Sequence, residues 1–290
     1  GAQSMKAPAF DYVKPKDLPE ALRLLQQYGA GAQVLAGGQS LMAIMNLGLA
    51  MPEILVDITG IDGLRDIQET AHGIRVGALV THATLESSAL IAQKVPLLWQ
   101  SVPHVAHMAI RNVGTIGGSM ALADPAAEYP AVSLALNATI TLIGPDGQRD
   151  VAAQDYFLGL YETARKEDEL LVAVTFPKVS TDEVMIFDEL TRRRGDYALC
   201  GLAAAFTVKS GVITAARLAY LSIGDTPVLA EAAARSLVGN KPDHALIEAA
   251  QNALANDLSP RGDLHGSAEG KLHWAKVLLA RSLRELEKSA

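Results

Sequence analysis

Two glycine-rich segments hold the residues whose types and spacing could do chemistry. In the first, LAGGQSLMAI (35–44), Gly37 and Gly38 follow an apolar run and precede Gln39 and Ser40. Glycine has no Cβ, so these N–H groups can approach a bulky anion, and a helix beginning near Ser40 would add its positive N-terminal end. The segment indicates phosphate binding, with an ordinary tight turn as the alternative.

The second segment is RNVGTIGGSMALADPAAEYPA (111–131). It holds three glycines in five residues, then two hydroxyls and two carboxylates: Gly114, Gly117 and Gly118, Thr115 and Ser119, Asp124 and Glu128. Its small side chains permit close approach, and the carboxylates could accept hydrogen bonds from sugar hydroxyls. Two backbone cradles together predict a long ligand with a central diphosphate. The alternative is that Asp124-Pro125 only starts a turn or helix and that Glu128 is a solvated carboxylate.

Other familiar kinds of site lack their motifs. The sequence has no Gly-x-Gly-x-x-Gly, no Gly-x-x-x-x-Gly-Lys-Ser/Thr and no Gly-x-Ser-x-Gly, so it supports neither a Rossmann dinucleotide site, nor a P-loop, nor a nucleophile elbow. His104 and His107 lie three residues apart, but no nearby ligands complete a metal site, and no metal is predicted.

Composition excludes further classes of function. A net charge of -7 argues against nucleic acid as a partner, and the basic run Arg192 to Arg194 is typical of a solvated loop or of a contact with a cofactor or partner. The single cysteine, Cys200, excludes an intramolecular disulfide and a cysteine-ligated iron–sulfur cluster held by this chain alone. Redox chemistry here would need a bound organic cofactor. Because no apolar stretch approaches the roughly 20 residues of a membrane span and no signal peptide pattern is present, we expect no membrane span and a cytoplasmic protein.

The elements that must position these segments fall into three predicted units. GAQS before Met5 is typical of a cloning remnant, so the first unit is 5–58: a helix with a capping box from Asp17 and Glu20, the strand AQVLA, the Gly-Gly turn, a second helix capped by Ser40, and the strand ILVDI. Residues 59–177 predict an antiparallel sheet with inserted helices, including a tight turn at GPDGQ (144–148). Residues 178–290 predict strands followed by helices through PVLAEAAARSLVG, LIEAAQNALAND and KLHWAKVLLARSLRELEK. The fold class is therefore α+β.

Four stretches together resemble a known family: AGGQSL (36–41), RNVGTIGGSMALADPAAEYPA (111–131), YFLGLYETARKEDELL (156–171) and RRRGDYALCGLAAA (192–205). The chain resembles the FAD-binding medium subunit of molybdenum hydroxylases, the group that includes carbon monoxide dehydrogenase and the flavin domain of xanthine dehydrogenase. The resemblance covers nearly the whole chain. It implies a PCMH-type FAD-binding fold, made of the small α/β unit and the middle sheet unit, followed by a C-terminal α+β domain.

The resemblance also implies FAD-contacting residues. The diphosphate would lie between two backbone segments, the first being Ala36, Gly37, Gly38, Gln39 and Ser40 with Leu41 behind them, and the second Thr115, Ile116, Gly117, Gly118 and Ser119. Glu128 stands where the family places an acidic residue on the cofactor, with Asp124 as a second candidate. The resemblance implies that Leu171, Val105 and Ala106 line the flavin or adenine pocket. It also implies that Tyr197 covers the isoalloxazine, since its ring can pack on the flavin plane.

Two positions depart from the family pattern. His107 replaces an acidic residue before the Arg-Asn pair, and Asp188 stands near where xanthine dehydrogenases place a lysine beside the flavin. The second departure puts NAD in doubt as the electron acceptor.

The function implied is that of an FAD-containing oxidoreductase subunit. A large partner would carry molybdopterin, a small partner would carry [2Fe-2S] clusters, and the FAD of this chain would pass their electrons to an external acceptor. No side chain of this chain need act as a catalytic acid or base, since the redox chemistry belongs to the cofactor. The alternatives are a self-sufficient flavin oxidase or dehydrogenase and a non-catalytic nucleotide-binding assembly subunit.

Overall fold

The computed structural model describes residues 10–37, 52–105 and 114–289. The first part is a parallel sheet in the order β1-β3-β2, covered by helix α1 (Leu18–Tyr28). Its strands are β1 (Asp11–Val13), β2 (Ala32–Leu35) and β3 (Ile54–Asp57). The predicted second helix capped by Ser40 lies outside the described residues.

Helix α1 confirms the capping box predicted from sequence. The Glu20 N–H donates to Asp17 Oδ1 at 2.9 Å, and the Lys16 N–H donates to Glu20 Oε2 at 3.0 Å. Ala21 and Leu25 are buried against the sheet, and the chain leaves the helix at Gly29, whose φ of 50° suits a residue without a Cβ.

The middle part is an antiparallel sheet in the order β4-β5-β10-β6-β7. Its strands, with the small hairpin β8–β9, are β4 (Ile67–Thr70), β5 (Gly73–Gly77), β6 (Thr139–Gly144), β7 (Gly147–Ala152), β8 (Phe157–Gly159), β9 (Glu162–Thr163) and β10 (Leu170–Phe176). The pairing of Gly144 with Gly147 confirms the predicted tight turn.

Short helices join the strands of this middle part. They are α2 (His82–Ser87), α3 (Ala89–Lys94), α4 (Pro96–Ser101), α5 (Ile116–Leu122), α6 (Glu128–Ala135) and α7 (Ala153–Tyr156), with 3-10 turns at Gly29–Gly31, Ile58–Gly60 and Val102–His104 elsewhere along the chain. Every residue of α6 is buried, so this helix lies in the middle of the molecule rather than on its surface.

The last part is an antiparallel sheet in the order β11-β12-β13-β14, covered by three helices. The elements are β11 (Glu183–Thr191), β12 (Ala198–Lys209), β13 (Val212–Leu221), β14 (Val228–Leu229), α8 (Glu231–Leu237), α9 (His244–Asp257) and α10 (Ala268–Ser289). The hydroxyl of buried Tyr220 donates to the Ala275 carbonyl at 2.8 Å, which ties β13 to α10.

One predicted helix begins later than expected. The sequence PVLAEAAARSLVG predicts a helix from Pro227, but Val228 and Leu229 pair with the edge of β13 and the helix starts only at Glu231. The Ala230 N–H donates to the Leu218 carbonyl at 2.8 Å. The free edge of the sheet takes these backbone groups, so tertiary pairing outweighs local helix propensity.

The last sheet also holds α6 in place. The guanidinium of Arg217, on β13, donates to the Ala135 and Leu134 carbonyls, each at 2.9 Å. These carbonyls belong to the last turn of α6, where a helix has unpaired acceptors and a partial negative charge.

Helix α5 packs on the chain just after β5 at unusually short range. The Ile116 N–H donates to the Val80 carbonyl at 3.0 Å, and the Gly117 N–H donates to the Ala78 carbonyl at 2.9 Å. A Cβ on Gly117 would lie 2.6 Å from both the Cβ and the carbonyl oxygen of Ala78, which is closer than these atoms can approach. Glycine at 117 is therefore required by packing.

We expect Gly117→Ala to destabilise the protein by about 1–3 kcal/mol, the usual cost of forcing an extra methyl into a packed interior. Gly224→Ala is the matched control, because its Cβ would meet nothing nearer than the Thr226 carbonyl at 4.0 Å. Urea unfolding of both variants measures the difference. Equal stability of the two would show that α5 can move away from Ala78 at no cost.

Candidate functional site

A cleft of about 870 Å³, including the solvent at its mouth, lies between the parallel sheet and helix α5. Its walls come from the first part of the chain, from the start of the middle sheet, from α5 and from the segment leading into β10: Gln33, Val34, Ala36, Ile58, Ala78, Gly117, Gly118, Ala121, Leu122, Tyr161, Arg165, Glu169, Leu170 and Leu171.

Both glycine-rich segments reach this cleft. Ala36 lines it directly after β2, with Gly37 next in the chain, and Gly117 and Gly118 line it from the first turn of α5. The structure therefore brings together two segments that are about 80 residues apart in the sequence. The other predicted contacts of the first segment, Gly38, Gln39, Ser40 and Leu41, and also Ala106, lie outside the described residues.

The second segment differs from the open loop that a backbone cradle suggests. It is the start of α5, with Thr115 as N-cap. Its N–H groups already have acceptors within the chain: those of Ile116 and Gly117 bond the carbonyls after β5, that of Gly118 bonds Thr115 Oγ1 at 3.1 Å, and that of Ser119 bonds the Thr115 carbonyl. A phosphate oxygen here would share these hydrogen bonds rather than find free donors.

The side chains of this segment have separate surroundings. Ile116 is fully buried in the core, so its side chain cannot reach a ligand in the cleft. Gly117 and Gly118 supply a surface without side chains, and Ala121 and Leu122 continue it one turn later. The contribution of α5 that the structure shows is a smooth wall of small residues.

The remaining predicted residues divide between the cleft and its neighbourhood. Leu171 lines the cleft, whereas half-buried Val105 packs against the main core. Asp124 lies in the loop between α5 and α6: its Oδ1 accepts the Ala126 N–H at 2.9 Å and its Oδ2 accepts the Tyr161 hydroxyl at 3.5 Å. Glu128 is buried at the start of α6, and the Tyr197 side chain is exposed.

Besides Gln33 on β2, sequence reasoning missed three polar residues of the cleft that lie close together in the chain: Tyr161, Arg165 and Glu169. All three belong to YFLGLYETARKEDELL, a stretch that carried the family resemblance but in which only Leu171 was given a role. The signal available was a tyrosine followed four residues later by an arginine, placed just before a buried strand. An arginine in a cleft of this size is suited to an anionic ligand.

Tyr161 is held in an uncommon conformation. Its φ of 52° lies in the left-handed region, which non-glycine residues rarely adopt, and its hydroxyl points to Asp124. Burial and the Asp124 carboxylate raise the pKa of Tyr161 to about 12. The phenol is therefore a neutral hydrogen-bonding group at neutral pH.

Glu169 is a buried carboxylate whose negative charge is neutralised by direct contact with Arg149. Arg149 Nε donates to its Oε2 at 2.7 Å, Arg149 Nη2 donates to its Oε1 at 2.8 Å, and the Lys166 N–H also donates to Oε1 at 2.8 Å. The hydrogen bond from Arg149 holds the pKa of Glu169 below its ordinary value, although burial opposes this. A carboxylate bound in this way is a weak base and a rigid part of the wall.

Comparison with known proteins identifies the family. Residues 8–179 match the family described as the FAD binding domain in molybdopterin dehydrogenase, and residues 185–286 match the CO dehydrogenase flavoprotein C-terminal domain. The chain belongs to this flavoprotein family. It is an FAD-binding oxidoreductase subunit with a PCMH-type α+β fold. The predictions of FAD as cofactor, of the oxidoreductase class and of this fold are therefore confirmed.

Several relatives of this flavoprotein match it over almost their full length. It is 37% identical to the 6-hydroxypseudooxynicotine dehydrogenase complex subunit alpha of Paenarthrobacter nicotinovorans, over 96% of this chain and 95% of that one. It is 36% identical to the carbon monoxide dehydrogenase medium chain of Afipia carboxidovorans, over 97% and 98%. The solved structure of quinoline 2-oxidoreductase from Pseudomonas putida superimposes with a TM-score of 0.92 at 37% identity, over 99% of both chains.

Two further findings concern the described part of the flavoprotein. No group of three or more His, Cys, Asp and Glu side chains is placed there to hold a metal ion. None of the helices in the same ranges has both the length and the apolar character that crossing a bilayer demands.

Acid stability should depend on Glu169. A carboxylate with a lowered pKa adds stability above the pKa it has when unfolded, and this stability is lost as pH falls through the folded-state value. We therefore expect Glu169→Gln to lower the melting temperature at neutral pH and to flatten its decline in acid. Glu69→Gln is the control, because Glu69 forms an exposed ion pair with Lys178 at 3.0 Å that contributes little. Parallel acid profiles for the wild type and the Glu169 variant would contradict the assignment.

Proposed function

We propose that the cleft between the parallel sheet and α5 is where this flavoprotein holds FAD, with the diphosphate between the Ala36–Gly37 and Gly117–Gly118 segments. The observation that carries the proposal is that two glycine-rich segments remote in sequence line one cleft. Arg165 also lines the cleft, and its positive charge suits the two negative charges of a diphosphate. The smooth surface of α5 admits a ligand at close range because Gly117 and Gly118, in its first turn, have no side chains.

The remaining predicted contacts stay part of this proposal. They are Gly38, Gln39, Ser40 and Leu41 in the first segment, Thr115, Ile116 and Ser119 around the second, and Val105, Ala106, Asp124, Glu128, Leu171 and Tyr197 around the flavin or adenine. For Thr115, Ile116 and Ser119 the backbone is the part proposed to face the diphosphate, sharing hydrogen bonds that already exist within the chain. The division into units 5–58, 59–177 and 178–290, and a cytoplasmic location, are proposed on the sequence alone.

Electrons would reach this FAD from a partner chain. Carbon monoxide dehydrogenase and nicotine 6-hydroxylase relatives are named as medium chain or medium subunit, which supports a complex with a large molybdopterin chain and a small [2Fe-2S] chain. This chain's part is to bind and orient FAD and to set the electrostatics around it, while the cofactor exchanges the electrons. An external acceptor then takes them, and Asp188 in place of a lysine argues against NAD in that role.

A self-sufficient flavin dehydrogenase is less consistent with the cleft. Such an enzyme needs a general base beside the flavin. Glu169 is the carboxylate on the cleft wall among the described residues, and Arg149 holds it ionised and hydrogen-bonded at both oxygens. Assay of the purified chain without partners tests this alternative, because a self-sufficient enzyme would turn over its substrate alone.

The first experiment is the visible spectrum of the purified chain. We expect the absorption bands of oxidised flavin, and FAD rather than FMN in the fraction released by heat or acid. A protein that is colourless as purified and after incubation with FAD would contradict the proposed function and leave the non-catalytic nucleotide-binding assembly subunit as the better description.

The position of FAD is tested by filling the cleft. Ala121 is an exposed residue of α5 on the cleft wall, so Ala121→Phe should leave the fold intact and weaken FAD binding by at least about tenfold, or roughly 1.4 kcal/mol. Ala249→Phe is the matched control, an exposed alanine in α9, remote from the cleft. Flavin fluorescence on titration gives both dissociation constants, and equal values would place FAD elsewhere.

A further inference from the structure

Two glutamates face each other in the interior close to this cleft. Glu128, the first residue of α6, is 8% exposed, and the Glu189 side chain, on β11, is 2% exposed. The two carboxyl groups lie within hydrogen-bonding range of each other. Among the described residues, neither carboxyl forms an ion pair with a lysine or an arginine.

The groups around the pair add negative charge or none. The charge of Asp124, in the loop before α6, acts on Glu128. The pKa of the buried Cys200 thiol, on β12, is raised by burial and then by Glu189. His104 Nδ1 lies 3.5 Å from Glu189 Oε1, which forms an ion pair only when the imidazole is protonated. Asp188 is paired with Arg281 and does not neutralise Glu189.

One carboxylate oxygen of the pair lacks a hydrogen-bond donor. Glu189 Oε2 is buried and has no hydrogen-bond partner among the described residues. Leaving a buried carboxylate oxygen without a donor is costly, as is placing two like charges side by side away from water. A proton on either carboxyl supplies a donor and removes one charge at once. Burial, followed by the charge of Glu189, raises the pKa of Glu128 well above its ordinary value.

We propose that Glu128 and Glu189 share a single proton at neutral pH. The protonated pair then serves as a hydrogen-bond donor beside the FAD cleft. Its relation to the cofactor rests on the proposed function. Glu189 acts through Glu128 as a positioning residue, and neither need be a catalytic residue.

The pair is connected to the cleft through neighbouring residues. Tyr161 lines the cleft and its hydroxyl reaches Asp124, and Asp124 in turn faces Glu128. A second ionised carboxylate at this point would repel the diphosphate of FAD, since charges in a partly buried site are weakly screened. A shared proton lets the chain keep an acidic group there without that repulsion.

The proton itself can be observed by nuclear magnetic resonance of isotope-labelled glutamate carboxyl carbons. In the wild-type protein, we expect the Glu128 and Glu189 signals to change together in two steps, because the pair loses one proton first and keeps the shared proton to a higher pH than the other glutamates. Two signals already at the ionised position at neutral pH would overturn the proposal. This titration is made on the wild-type chain, so it does not depend on any variant folding.

Glu189→Gln tests the sharing. Without the charge of Glu189, and with an amide donor in its place, Glu128 should titrate at lower pH than in the wild type. Glu183→Gln, on the same strand β11 and half-exposed, is the matched control and should leave Glu128 unchanged. An unchanged Glu128 titration in Glu189→Gln would show that burial alone holds the proton. Glu128→Gln gives the reciprocal test on Glu189.

Affinity for FAD gives an independent readout. As pH rises through the titration of the pair, FAD should bind the wild type about tenfold more weakly, while Glu189→Gln should show little of this decline. Equal pH dependence in the two proteins would overturn the role beside FAD. Failure to bind FAD at any pH would instead overturn the proposed function, and the carboxyl titration would still decide whether the proton is shared.

Discussion

The contact between Gly117 and Ala78 is the constraint on which the arrangement of the site depends. Hydrogen bonds from Ile116 and Gly117 to the chain after β5 fix α5 against the middle sheet at a distance that excludes a Cβ. Gly117 and Gly118, in the same helix turn, also line the cleft. A residue required by packing thus also creates the smooth surface that a cofactor can approach. The absence of side chains serves both contacts, and no free backbone donors are needed to explain the glycines.

Two buried glutamates, one on the cleft wall and one near it, have pKa values shifted in opposite directions. Glu169 receives two hydrogen bonds from Arg149, and its pKa falls despite burial. Glu128 receives no such cation and faces another carboxyl, so its pKa rises. Both residues are less than a tenth exposed, but burial is the largest cause of the raised pKa of Glu128, whereas the hydrogen bond from Arg149 outweighs burial at Glu169. The cleft wall therefore holds an ionised carboxylate that Arg149 neutralises, and the proposed proton-sharing pair lies behind that wall.

Much of the fold follows from local sequence signals, whereas the polar part of the site does not. Asp17 and Glu20 predict the start of α1, and the glycines of GPDGQ predict the β6–β7 turn, because caps and turns depend on residues close in sequence. The cleft wall at Arg165 and Glu169 depends on the distant Arg149, which no local pattern indicates. The two glycine-rich segments were found because their composition is unusual, but their meeting in one cleft is a property of the tertiary fold.

Glu189 shows the same limit more sharply. In FDELTRRR it stands between Asp188, which a family comparison singles out, and a run of arginines that draws attention as a basic cluster. Only the folded structure shows that Glu189 points inward to Glu128, whereas Asp188 forms an ion pair with Arg281. The last sheet thus contacts both ends of α6, with Arg217 at the carbonyl end and Glu189 at the amide end. Because α6 is wholly buried and the loop before it carries Asp124, a shift of the last sheet would change the charge and the position of the groups next to the cleft. The C-terminal part is therefore an electrostatic support of the site as well as a structural one.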